Sequence, residues 1–446
     1  MTQDTTALHA PTSTARAIGN TLKGSLGNLI EWYDVYAYSV FQTYFKDQFF
    51  APEDENADIY IWAGFALTFL ARPLGAWFFG RFADRHGRKA SLTLSVTIMA
   101  IGSLAIALLP TRVDIGVWAA VLLMFIRLVQ GFATGGEYAA SATYMSEAAT
   151  ANRRGFFSSF QYVTLVGGHV LAQLTLLLLT AFMSKPELEA WGWRIPFFIG
   201  ALGALIVFWL RKTMDESLSS EYLEKVRTGV ITQTGTVKEL FLHYWKPLLV
   251  CFLFTFGGTV AFYTYSVNGP AVIKATFKET DPMLANWINL ASLTFFMLIQ
   301  PIGGLISDKI GRKPVFLFFG VLGVAWTWVV LTFLPQQQNG WMAFLMICVS
   351  YVILTGYTSI NAIFKAELFP AHVRALAVGL GYGLANSIFG GTSPMIYQLA
   401  KANGATVWFT VYVTFCIAVT LVTTLVVMRN KGETHLDVEQ GRAYES

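Results

Sequence analysis

The chain has 446 residues, of which 54% are hydrophobic and 13% charged, about half the roughly 25% charge of a soluble globular protein. Its 31 Lys and Arg and 27 Asp and Glu are too few to clothe the roughly three soluble domains that such a length implies, which excludes a soluble enzyme. The net charge of +4 is not the footprint of a nucleic-acid partner, because the basic residues sit in short loops between apolar runs, the pattern that orients a membrane protein.

In chain order, a polar segment at 1–20 precedes twelve apolar runs, at about 21–44, 58–80, 91–110, 115–139, 156–183, 193–211, 246–269, 284–306, 315–334, 341–364, 374–399 and 404–428. Each is about the 20 residues that cross a bilayer as a helix. A barrel is excluded, since runs such as 174–179 and 250–254 are apolar on every side instead of alternating. Seven Lys and Arg (Lys46, Arg112, Lys185, Arg194, Lys274, Lys278 and Lys401) fall in the loops of one side, three within spans and 21 on the other side. The positive excess marks the cytoplasmic side and places both termini there. The expected divisions are a cytoplasmic tail at 1–20, a six-helix bundle at 21–211, a cytoplasmic linker at 212–245, a second six-helix bundle at 246–428 and a cytoplasmic tail at 429–446. Cys251, Cys348 and Cys416 each lie in an apolar run without metal-ligand spacing, so neither a disulfide framework nor a metal site is expected.

The two halves repeat. The run from Gly80 through Asp84, Arg85, His86, Gly87 and Arg88 to Lys89 closes the second span, and the run from Gly304 through Asp308, Lys309, Gly311 and Arg312 to Lys313 closes the eighth. Glu147 and Arg154 follow span four as Glu367 and Arg374 follow span ten. These loops resemble the G-x-x-x-D-[RK]-x-G-R-[RK] signature of the major facilitator superfamily. Segments 28–34 (NLIEWYD), 69–75 (FLARPLG), 127–131 (RLVQG), 135–138 (GGEY) and 192–197 (GWRIPF) are similar to the metabolite:proton symporter family within it. Segments 141–147, 158–164, 357–359, 365–370 and 385–391 most resemble the branch of that family that carries α-ketoglutarate. Span five departs from that branch, with His169 after Gly167 and Gly168 where a glutamine is expected.

The resemblance implies an all-α membrane protein of twelve transmembrane helices in two six-helix halves. It also implies a secondary transporter of the bacterial inner membrane that takes up a dicarboxylate with protons by alternating access. α-Ketoglutarate is the first candidate; citrate, another organic acid or a zwitterion are the alternatives, with a transport-inactive transceptor as the rival of another class. The expected partners are a small organic acid, protons and membrane lipid, with no nucleic acid, no cofactor and a monomer as the functional unit. No phosphate-binding G-x-x-x-x-G-K-[ST] loop occurs, which argues against an ATP-driven pump, and no triad or metal cluster in the spans suggests an enzyme.

Charges inside spans are costly and normally face a partner or an aqueous cavity. Glu31 and Asp34 share one face of span one with Tyr38, and Arg127, Gln130, Thr134, Glu137 or Tyr138, Ser141 and Tyr144 make a polar stripe on span four. Asp34 paired with Arg127 is the expected proton-coupling unit, with Glu31 second and Glu137 either coupled or structural. Arg72 and Lys365 are the candidate cations for the substrate's carboxylates, and Arg194 a candidate anion guide. Tyr38, Gln161, Thr164, His169, Tyr263, Asn268, Asn361, Tyr382 and Asn386 complete the expected binding cavity. Asp84, His86, Arg88 and Glu147, repeated by Asp308, Arg312 and Glu367, are the expected gating charges.

Overall fold

A computed structural model describes residues 14–53, 60, 64, 67–231, 234–277, 282–428 and 434–439. Residues 1–13 of the expected tail, most of 54–66 at the start of the second run, Lys278 and most of the segment after 428 lie outside it. Twelve helices follow the twelve apolar runs: α1 (Thr14–Phe49), α2 (Arg72–His86), α3 (Arg88–Leu108), α4 (Trp118–Glu147), α5 (Arg154–Phe182), α6 (Ile195–Lys212), α7 (Trp245–Tyr263), α8 (Pro282–Ile310), α9 (Arg312–Phe333), α10 (Gly340–Thr358), α11 (Arg374–Ala385) and α12 (Thr406–Val427).

Nine helical rods among the described residues are long and apolar enough by themselves to cross a membrane. The other three fall short for local reasons. α1 carries Lys23, Glu31 and Asp34 among its apolar residues. The lead-in to α2 is only partly described. The eleventh rod is interrupted, since α11 passes through a π-helical turn at Asn386–Gly390 before a second piece, Ser393–Ala402. α7 breaks in the same way at Thr264–Asn268 before Gly269–Thr276, and α10 restarts as Asn361–Glu367. Such breaks are tolerated in a membrane only where the freed backbone groups are buried in protein or line a cavity, and all three lie in the second half.

The first half packs α1 on α5, α2 on α4, and α3 on α4 and α6; the second packs α7 on α11 and α12, α8 on α10, and α9 on α10 and α12. Two helix pairs make the main joins between the halves, α5 with α8 and α2 with α11, and α4 packs on α11 and on the Asn361–Glu367 piece as well. Both seams are close because they are built on small residues. A Cβ on Gly304 of α8 would strike the backbone of Gly155 on α5, and a Cβ on Gly80 of α2 would strike the backbone of Leu376 on α11. Trp118, Trp209, Trp341 and Trp408, at helix ends, are each more than half exposed, as in the aromatic belts at a bilayer's two interfaces.

The repeated loops turn on glycine. Gly87, between α2 and α3, has φ 97°, and Gly311, between α8 and α9, has φ 93°, a region that side-chain-bearing residues enter at a cost of about 1–3 kcal/mol. At Gly87 an added Cβ also collides with Glu216, whose carboxylate accepts from the first backbone amides of α3, Arg88 N at 2.9 Å and Lys89 N at 3.0 Å. Gly87→Val is therefore expected to lower the thermal midpoint of the detergent-solubilised protein by several degrees and to weaken packing of the linker on α3, read by thermal unfolding and amide exchange at 88–90. An unchanged midpoint contradicts this account of the turn.

Candidate functional site

The polar groups form three layers along the bundle. At the end carrying the repeated loops, called here the motif face, Asp84 and Asp308 each cap a helix of the opposite half. Asp84 accepts from Ala375 N (3.1 Å) and Leu376 N (3.0 Å), the first turn of α11. Asp308 accepts from Gly155 N (2.7 Å) and Phe156 N (2.9 Å), the first turn of α5. A carboxylate at a helix N-terminus satisfies orphan amides and meets the positive end of the helix dipole. Each is steadied by the arginine four residues on, Arg88 at 2.5 Å and Arg312 at 2.9 Å.

Glu147, at the end of α4, lies between two arginines, Arg88 at 3.0 Å and Arg374 of the second half at 2.8 Å, and accepts from Ser217 of the linker at 2.6 Å. Glu367 repeats the contact with Arg312 at 3.4 Å. The two locks are unequal: the Arg88 and Glu147 side chains are fully buried, whereas Arg312 keeps 18% exposure. His86 stands apart, exposed and stacked on Phe82. The C-terminal segment joins the network on both sides of the seam. Glu439 accepts from Arg374 (2.5 Å) and from Ala371 N (2.7 Å), and Asp437 pairs with Arg154 (2.6 Å).

The second layer is confined to the first half. Asp34 accepts from Ser103 of α3 (2.6 Å) and Gln130 of α4 (2.7 Å), with Arg127 at 3.7 Å and itself bonded to Gln130 (2.9 Å) and stacked over Tyr38 (4.2 Å). Asp34 is 1% and Arg127 0% exposed, so the pair meets a partner within the protein and not solvent. Asp34 is turned toward α3 and α6, so close to Gly200 that an added Cβ there would lie 3.1 Å from its Oδ1. Tyr38 belongs with them and not with the centre. Deeper toward the motif face, Glu137 forms a short bidentate pair with Arg211 of α6 and accepts from Ser95 (2.7 Å). Arg211 was invisible as a partner in the sequence, where it stands 74 residues away at the junction of an apolar run and the polar linker.

The third layer lies between the halves. Lys365, fully buried, has its ammonium 3.3 Å from the Tyr138 hydroxyl and 4.6 Å from the Tyr382 ring centre. The Tyr138 and Tyr382 rings stack across the seam at 3.5 Å, and Asn361 donates to Tyr138 (3.3 Å) and Tyr162 (3.2 Å). No carboxylate among the described residues pairs with Lys365. Arg72 lies over Phe69 and Trp32, and Tyr263 packs edge-on against the same Phe69 at 5.8 Å. Buried polar atoms without a hydrogen-bond partner gather here: Glu31 Oε2, Arg72 Nε and Nη2, the Tyr36 and Tyr263 hydroxyls, Asn268 Nδ2, Asn361 Oδ1 and Asn386 Nδ2. Asn268 and Asn386 belong to the two π-helical turns. Buried groups left unsatisfied are costly, and these eight atoms belong to residues that line the seam or its immediate neighbours.

Other expected lining residues are committed elsewhere. Gln161 and Thr164 exchange hydrogen bonds with Asn28 at 2.8–3.1 Å, and Ser141 donates to Gln161, so their polar atoms bind α1 to α5. His169 stacks on Tyr36 at 3.8 Å, supporting a tyrosine whose hydroxyl is free. Arg194 is corrected out of the site: it donates to Ala107 O (2.7 Å) and Leu109 O (2.9 Å) and caps the end of α3.

Two outcomes follow for the motif face. Removing one member of a buried ion pair typically costs about 3–5 kcal/mol, so Glu147→Gln is expected to raise amide exchange at Ala375 and Leu376 well above the parent. His435, in the docked segment, is held down to about 4 by burial and by the nearby Arg374 and His372. A histidine that binds protons less well when docked than when free loses docking stability as pH falls from about 6.5 toward 4. The protection factor of the Ala371 amide, its exchange normalised to the intrinsic rate at each pH, should therefore fall between pH 7 and 5, and His435→Gln should flatten that dependence.

The chain matches the model of the sugar (and other) transporter family over residues 21–225 and 218–441. It is 42% identical over 421 residues to the alpha-ketoglutarate permease of Escherichia coli (strain K12), covering 94% of this chain and 95% of that one. It is 30% identical over 404 residues to the glycine betaine/proline/ectoine/pipecolic acid transporter OusA of Dickeya dadantii (strain 3937), covering 89% and 80%. Among solved structures it resembles the major facilitator superfamily proton:xylose symporter XylE with a TM-score of 0.80 at 18% identity, covering 96% of this chain and 99% of that one. With twelve helices in two halves, a shared seam of unsatisfied polar groups and these matches, the chain belongs to the sugar (and other) transporter family of the major facilitator superfamily and is a multi-pass membrane transporter.

Proposed function

We propose that this protein imports an organic dicarboxylate together with protons across the bacterial inner membrane, with α-ketoglutarate as the substrate. In this reading two bundles, 21–211 and 246–428, rock about the seam, the linker at 212–245 and both termini are cytoplasmic, and a monomer suffices. The observation that carries it is Lys365: a fully buried ammonium at the seam with tyrosines around it and no carboxylate partner among the described residues. A buried cation in that position is neutralised by an anionic substrate, and Arg72 offers a second anchor in the facing half.

The relatives' names leave a zwitterion as the alternative. A quaternary ammonium is held by open aromatic faces. Here the faces of Phe69, Trp32 and Tyr382 are covered by the protein's own cations, Arg72 and Lys365, which repel a second positive charge. The geometry favours an anion.

Asp34, with Arg127, is assigned as the proton-linked conformational switch and Glu31 as its neighbour on the path. Protonating Asp34 releases Arg127 to Gln130 and loosens α1 from α3 and α4. The Asp84, Arg88 and Glu147 lock and its Asp308, Arg312 and Glu367 counterpart hold the motif face shut, so that they bias the two populations.

In proteoliposomes, labelled α-ketoglutarate is expected to accumulate only with an inward proton gradient, and excess unlabelled α-ketoglutarate to abolish it while glycine betaine does not. Lys365→Met is expected to weaken apparent affinity by about 30-fold or more, the equivalent of about 2 kcal/mol for a buried charge partner. Asp34→Asn is expected to lose accumulation and keep exchange of internal for external substrate. Betaine competition, or normal affinity in the Lys365 variant, refutes the substrate assignment.

A further inference from the structure

We propose that Glu31 is the carboxylate that senses the substrate, taking up a proton when a substrate carboxylate occupies Arg72; the inference rests on the reading of Arg72 as a substrate anchor.

Arg72 is prepared for one occupant. Its guanidinium is 2% exposed, and its faces are covered by the Phe69 ring, centred 4.1 Å away, and the Trp32 ring at 4.9 Å. Nε and Nη2 have no hydrogen-bond partner. These two nitrogens share an edge of the guanidinium plane, and their N–H bonds run parallel, the arrangement that donates to both oxygens of a carboxylate. The edge is therefore a fork held in plane by stacking, with the neutral Tyr263 hydroxyl beside the guanidinium and no carboxylate of the described residues bonded to it.

Glu31, beside Trp32 on α1, is 2% exposed with Oε2 unpartnered. It lies within electrostatic reach of Arg72, but among the described residues no ion pair joins them. The other charged groups facing it are Asp34 on α1, Glu137 from α4 and Arg211 from α6. α3 contributes Ser95 and Ser103, bonded to Glu137 and Asp34. From α5 come the neutral Gln161 and Thr164, bonded to Asn28, and His169, stacked on Tyr36. Glu137 and Arg211 neutralise each other, as do Asp34 and Arg127, so Glu31 and Arg72 remain as each other's counter-charge.

A substrate carboxylate on the Arg72 edge supplies that guanidinium with its own anion. Glu31 is then an uncompensated buried charge, and a proton from solvent binding its free oxygen restores neutrality; no bond of the substrate changes. Because the coupling is reciprocal, protonation of Glu31 strengthens substrate binding by the same factor that substrate strengthens proton binding. Asp34 does not share this competition, since its two oxygens are occupied by Ser103 and Gln130 and its cation is Arg127.

The test is calorimetric titration of the full-length protein in detergent with α-ketoglutarate, in buffers of different ionisation enthalpy, between pH 5.5 and 8. The parent is expected to take up about one proton per substrate bound and to bind up to about tenfold more tightly per unit fall in pH. Glu31→Gln should bind with no proton uptake and a flat pH profile, and Asp34→Asn should keep the uptake. If Glu31→Gln does not yield folded protein, Glu31→Asp, with its carboxylate drawn back from Arg72, should shift the midpoint of the profile. Parental uptake in Glu31→Gln, an unshifted midpoint in Glu31→Asp, or loss of uptake in Asp34→Asn alone overturns the proposal. Failure of the parent to bind α-ketoglutarate at all sinks the substrate reading itself, and this inference with it.

Discussion

Neutralisation of charge in a place without water organises this molecule. A carboxylate or guanidinium inside a bilayer-spanning bundle is tolerated when an opposite charge and hydrogen bonds replace its hydration. The chain meets that requirement at three degrees of completeness. Glu137 and Arg211 close on each other within one half, with Ser95 completing the shell. Glu147 is shared between an arginine of its own half and one of the other, so its neutrality depends on the halves being together. Glu31, Arg72 and Lys365 keep unfilled polar atoms or no charged partner at the seam. The first arrangement is complete within one half, the second spans both halves, and the third is the one on which the proposed anion site rests.

The duplicated loops apply one device twice. In each half an aspartate in the motif loop caps the first turn of a helix from the other half, and the arginine four residues on holds that aspartate. Helix ends are good targets for such a latch because their amides lack intrahelical partners. The two copies are not equivalent. The Asp84 lock is dry and reinforced by Arg374 and Ser217, whereas the Arg312 lock remains partly exposed, where water and salt weaken ion pairs. The ion pairs along the α2 and α11 seam are therefore drier and closer than those along α5 and α8.

Polar residues near the middle divide by what their atoms already hold. Gln161 and Thr164 are satisfied by Asn28 and serve as mortar between α1 and α5, and Arg194 serves as a cap. Asn268 and Asn386 sit in π-helical turns and keep amide donors free, a local widening of the helix that turns side chains out of the regular stripe. His169 works through its neighbour, presenting the Tyr36 ring by stacking.

Apolar run length, the positive charge of the loops and the repeated Asp–Gly–Arg signature were enough, read along the chain, to establish twelve helices, two halves and a family, because those properties are local or periodic. The residue types of the site were legible for the same reason, since Glu31, Asp34, Arg72, Arg127 and Lys365 stand out as ions among apolar neighbours. Their grouping was not. Whether Asp34 faces the seam or the interior of its own half depends on which way one turn of α1 is rotated against α3 and α6. That Glu137 belongs with Arg211, or that Glu439 reaches Arg374, depends on contacts spanning 74 and 65 residues. Composition and spacing determine which charges must be buried; only packing in three dimensions decides which of them are matched within the protein and which are left without a charged partner, because neutralisation acts through distances that the linear order does not contain.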